Sequence, residues 1–273
     1  YDIMDDMHEW IDKNKINWDN LSWNENPAAI KLLEQNQDKI NWEVLSGNEN
    51  PAAIKLLEQN QDKIHWVVLS QNSNPAAIRL LKENPDEINW LGLSKNENPA
   101  AIKLLKEKLK EDPDEIDWEY LSLNKNPAAI KLLEQHSDKI KWLYLSQNKN
   151  PAAIRLFKEN PDKIDWSALS WNENTAAIKL LEQNQDKINW SNLSSNSAAI
   201  KLLEQNQDKI NWKYLSFNPA AIRLLKENPN KIDWYWLSRN PAAIKLLEKN
   251  QDKINWDLLS SNPAIFKLYS YTK

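Results

Sequence analysis

Residues 50–70 read Asn-Pro-Ala-Ala-Ile-Lys-Leu-Leu-Glu-Gln-Asn-Gln-Asp-Lys-Ile-His-Trp-Val-Val-Leu-Ser, and close copies of this stretch fill nearly the whole of the 273-residue chain. The tryptophan at its centre, Trp66, recurs as Trp18, Trp42, Trp90, Trp118, Trp142, Trp166, Trp190, Trp212, Trp234 and Trp256. These eleven positions are 24 residues apart as far as Trp190, with one spacing of 28, and 22 residues apart beyond it. A period of this length marks a repeat array, in which each unit is too small to bury its own apolar face and must stack on its neighbours.

Each unit reads as two short helices. The first opens at an asparagine such as Asn26 or Asn50, whose side-chain oxygen caps exposed amides. Proline follows in nine units, at the position where a missing N–H costs nothing. The run Ala-Ala-Ile-Lys-Leu-Leu then ends near an asparagine such as Asn36, Asn60 or Asn84, a residue type that tolerates the left-handed conformation of a helix end. A second, shorter helix starts after a capping Asn or Asp and carries Trp-x-x-Leu-Ser, with Trp and Leu on one face. At five to seven residues it suits either α or 3₁₀ geometry.

The join Leu-Ser-x-Asn-Pro-x-x-Ile-x-Leu-Leu resembles the leucine-rich variant repeat, and that resemblance implies a superhelix alternating α and 3₁₀ helices. The fuller phrase through Asp-Lys-Ile-Asn-Trp-x-x-Leu-Ser, over residues 11–267, is similar to repeats in uncharacterised proteins of large DNA viruses of protists. It implies architecture and carries no catalytic or ligand residues. The insertion at Lys106 to Asp112 and the shortened last units depart from the pattern.

The expected fold class is therefore all-α, an α-solenoid of two-helix repeats. Residues 1–16 lack the Asn-Pro opening and read as an N-terminal capping helix, with Met7, Trp10 and Ile11 between acidic residues. Residues 17–262 are the repeats. Residues 263–273, with Phe266, Tyr269 and Tyr271, read as a C-terminal cap. With helices 8–10 Å apart, eleven units would extend about 100 Å unless the superhelix folds that length back. The loss of two linker residues from every unit after Ser191 predicts a change of curvature there.

Composition narrows the function. Thirty-five basic and 39 acidic residues leave a net charge of −4 with no charged tail or lobe, so little draws the chain to nucleic acid or lipid. There are no cysteines, hence no disulfide framework and no thiolate metal site. No apolar run is long enough to cross a bilayer and no signal peptide is visible. We expect a location inside the host cell, cytoplasm or nucleus, or in the virion, and no secretion.

The repeated tryptophans share the register of Leu21, Leu45 and Leu69 and are assigned to the core. The basic residue on every first helix (Lys31, Lys55, Arg79 and their equivalents through Lys267) is followed by Glu34, Glu58 and others three residues on, or Glu83, Glu159 and Glu227 four on, so an ion-paired, solvated face is expected. The Leu-Ser serines have no neighbouring His and acid, and are expected to bond backbone.

What varies is the face of the short helix one, two and five residues after each tryptophan. Aromatic and basic side chains there are the types enriched at protein interfaces. We expect a non-catalytic protein–protein interaction scaffold that binds a partner along this stripe through Trp23, Leu123, Trp171, Phe217, Tyr235, Trp236 and Arg239. The alternative is a structural component of a viral particle or other large assembly, in which the partner is a copy of the chain or another subunit. A nucleic-acid-binding repeat protein ranks third, because the stripe also carries Asp19, Glu43, Glu119 and Asp257. No enzyme, cofactor or metal site is expected.

Overall fold

The computed structural model describes residues 3–266. It is an all-α solenoid, with no β-strand among the described residues beyond a single bridge. Tyr269, Tyr271 and Lys267 lie outside the described residues, as does most of the expected C-terminal cap.

The unit has three helical pieces. A long helix such as Pro51–Glu58 is followed by a 3₁₀ turn, Gln61–Lys63, and then by a short helix, Trp66–Leu69. The short helices are α, and the 3₁₀ geometry appears instead in the Gln-Asp-Lys turn before them. The insertion lengthens one long helix to Pro99–Glu111. Asn50 caps its helix by accepting from the Ala52 amide at 2.8 Å, and Asn41 caps the short helix before it, Trp42–Ser46, by accepting from Val44 N at 3.1 Å. The asparagines that end the long helices do not adopt the left-handed conformation: no described residue has positive φ. Asn36 keeps a negative φ of −135° with ψ 54° and donates its amide to Leu32 O four residues back, which satisfies a helix-end carbonyl without inverting the backbone.

Leu, Ile and Ala of the repeat form one continuous core. The repeated tryptophans are only partly buried at its margin. In all but Trp66, Trp118 and Trp142 the outer face is covered by a lysine from the next unit, as with Lys39 over Trp18 at 4.5 Å and Lys209 over Trp190 at 4.7 Å. The cation–π contact shields the part of the indole that the core leaves uncovered.

Two polar ladders join the units through this core. Each Leu-Ser serine donates its hydroxyl to the tryptophan carbonyl four residues back and accepts the amide that starts the next short helix, as Ser170 does from Asn189 N at 3.0 Å. Each asparagine two residues after the serine is buried, and all but Asn24 donate the side-chain amide back along the array, as Asn148 does to Ser122 O and Asn124 O at 2.9 Å each. In the 22-residue units one asparagine takes both roles: Asn240 donates to Ser216 O and Asn218 O while capping Ala242. The helix it caps begins with a 3₁₀ turn, Pro241–Ala243.

The array closes on itself. Asn17 N donates to Ser260 Oγ at 3.0 Å, the same bond that Asn41 N makes to Ser22 Oγ at 3.1 Å, so the serine ladder runs through all eleven units without a break. Asn20 donates to Asp257 O as Asn192 donates to Ser167 O, and Lys15 covers Trp256 as Lys39 covers Trp18. Met7 pairs with Phe266 in an antiparallel bridge, and His8 N donates to Ile265 O at 3.1 Å. Residues 262–266 supply the Asn-Pro turn of the eleventh unit, and residues 7–22 supply the rest of it. The extended rod of about 100 Å is therefore replaced by a ring. The segment expected as a capping helix is instead two 3₁₀ turns, Ile3–Asp6 and Lys13–Lys15, on either side of the bridging strand. It seals the seam where a cap would have covered an open end.

Candidate functional site

The short helices line the inside of the ring. Grooves between long helices touch two neighbouring units each, as between Ile30–Glu34 and Ala52–Gln59. A recess on the short-helix side is lined by Arg239, Leu258, Ser261, Asp19, Asn20, Trp23 and Val44, which come from four successive units. Only a concave wall brings four stacked units to one point.

All eight exposed large hydrophobic side chains among the described residues lie on this wall: Trp23, Val67, Leu91, Leu143, Trp171, Tyr214, Phe217 and Tyr235. Each stands one, two or five residues after a repeated tryptophan, because those helical positions point away from the face carrying Trp and Leu. The outer wall is polar. Its ion pairs run mainly between units, Arg79 reaching back to Glu58 at 2.8 Å and Arg223 to Glu204. Within one long helix, Arg223–Glu227 is the pair that forms among the described residues. That is one of the expected four-residue pairs, and none of the expected three-residue pairs forms among the described residues.

Five of the seven sequence-predicted residues gather in one sector. Phe217 and Tyr235 flank Trp236, with ring centres 6.3 and 5.3 Å away and both pairs edge-on. Arg239 lies over Phe217 at 5.6 Å and Lys213 over Trp236 at 5.9 Å. Ring closure then carries Trp23 from the start of the chain to the same place. Trp23, Phe217 and Arg239, with Asn24, Glu25, Pro241, Ser261 and Pro263, line a recess of about 430 Å³ at the seam. Trp23 is 46% exposed and Tyr235 51%. The Trp23 ring leans over Gly47, where a Cβ would meet its Cζ3 at 2.7 Å, so the glycine makes room for the indole. Trp171 is exposed on the same wall, apart from the sector, and Leu123 is half-buried.

The Tyr144 phenol, also on the inner wall, is held above its ordinary range by its hydrogen bond to Glu119 and the charge of that carboxylate. At the seam, the Asn24 amide nitrogen is buried with no hydrogen-bond partner, which leaves the asparagine ladder open at that one step. The buried Leu-Ser-x-Asn asparagines were missed as a group from sequence, although their invariance from unit to unit was the available signal.

Among the described residues no group of three His, Cys, Asp or Glu side chains is placed to hold a metal ion. No helix among them is long and apolar enough to cross a membrane. The fold and this wall define a closed α-solenoid ring with an aromatic inner face. Comparison with protein-family models, characterised proteins and solved structures finds no match.

Proposed function

We propose that this chain is a non-catalytic scaffold that binds another protein on the inner wall of the ring, through Trp23, Phe217, Tyr235, Trp236 and Arg239, with Trp171 as a separate contact. One observation carries the reading: among the described residues every exposed large hydrophobic side chain stands on the short-helix face, where burial of its own core asks for none. Aromatic anchors surrounded by polar neighbours are the usual centres of binding energy at protein interfaces. The closed circuit favours a discrete partner over a building block of a large assembly, since no open solenoid end is left to stack on another copy.

Affinity capture from native extract tests this, comparing the wild-type chain with a Trp171→Ala, Phe217→Ala, Trp236→Ala variant of unchanged helicity and melting. A protein held by the first and lost by the second, about 100-fold or more in affinity for truncated anchors, is the expected result. Equal capture by both removes the inner wall as the binding face.

A further inference from the structure

We infer that the sector of the inner wall from Lys213 to Trp23 binds a polypeptide segment presenting, in order around the ring, an acidic side chain, an apolar anchor and a basic side chain. The inference rests on the scaffold reading and gives its partner a chemistry.

Lys213 and Arg239 each lie over an aromatic ring, and neither forms an ion pair with a carboxylate of the chain among the described residues. Arg79 and Arg223 on the outer wall, by contrast, are paired with glutamates. An aromatic face holds a cation in place while leaving its N–H edge free to take a carboxylate. Beyond these two cations the wall changes sign. Asp257, Asp19 and Glu43 occupy the position of Lys213 on the three units after that of Tyr235 and Arg239, and Glu25 stands at the recess. The apolar surface of Trp23, Phe217, Pro241 and Pro263 lines one recess that spans the units on both sides of this change of sign. Complementary charge therefore sets the direction of a bound segment, and its apolar residue enters the recess. A phosphate polymer satisfies only the first half of this wall and meets carboxylates on the second.

A random peptide library displayed on phage and selected on the whole chain is the test. The enriched peptides are expected to share the acidic–apolar–basic order. Their affinity should fall about tenfold or more for a Lys213→Glu, Arg239→Glu variant and return when the peptide's acidic residue is replaced by lysine. Both positions are exposed, and a Lys213→Gln, Arg239→Gln variant repeats the measurement without adding charge. Absence of enrichment, enriched peptides without an acidic residue, unchanged affinity for both variants, or tighter binding of a single-stranded oligonucleotide would overturn the inference. Peptides lost with Trp171→Ala but indifferent to Lys213 and Arg239 would overturn it while leaving the scaffold reading in place.

Discussion

Ser170 shows how much of this protein hangs on single polar side chains. Its hydroxyl donates to Trp166 O and accepts Asn189 N–H, so the side chain ties the end of one short helix to the start of the next. Ser170→Ala strands a part-buried amide and should cost about 1–3 kcal/mol, measured as a lower urea midpoint at unchanged slope. The buried asparagines permit an internal comparison. Asn148 makes two side-chain donations to the preceding unit and accepts from Asn150 N. Asn24 accepts from Asn26 N, but its amide has no partner. Asn148→Ala should therefore destabilise by about 1–3 kcal/mol more than Asn24→Ala, at about 1 kcal/mol for each lost bond and more for carbonyls left bare.

At the scale of the element, the 3₁₀ turn Gln-Asp-Lys sets the lysine over the tryptophan of the preceding unit. The turn Pro85–Glu87 breaks this pattern: Glu87 occupies the turn position from which Lys63 covers Trp42, and no described cation lies over Trp66. Glu87→Lys should stabilise the chain by about 0.5–1 kcal/mol, the worth of an exposed cation–π contact, read as a raised melting midpoint that high salt leaves largely intact. Helix starts, helix lengths and the lengthened helix Pro99–Glu111 were legible in the sequence, because a cap or an insertion acts within a turn or two of itself. The burial of the tryptophans was not. Periodicity places a side chain on the inward face but does not say how much room a neighbouring unit leaves, and Trp18 at the margin and Leu21 in the centre share one register.

At the scale of the whole molecule, the prediction is a ring. Eleven units at 8–10 Å spacing close with an outer diameter of about 60 Å, against about 100 Å for the same units in a rod, and small-angle scattering separates the two by the longest interatomic distance. Ser260→Ala tests the seam directly. In a closed ring it removes the acceptor of Asn17 N and should cost about the same 1–3 kcal/mol as Ser170→Ala; in an open solenoid it would be nearly silent. Of the candidate site, the stripe and its residue types were readable from the variable positions, since variation on a constant framework is visible in the text of the repeat. The meeting of Trp23 with Phe217 and Arg239 was not, because those residues are nearly the length of the chain apart. The repeat unit, its caps and its apolar face follow from local chemistry and could be read residue by residue. Closure follows from a rotation of about 33° per unit summed over eleven units, a product of how far the long helices stand apart relative to the short ones. An error of a few degrees per unit in that sum leaves a spiral instead of a ring, and no single residue carries it.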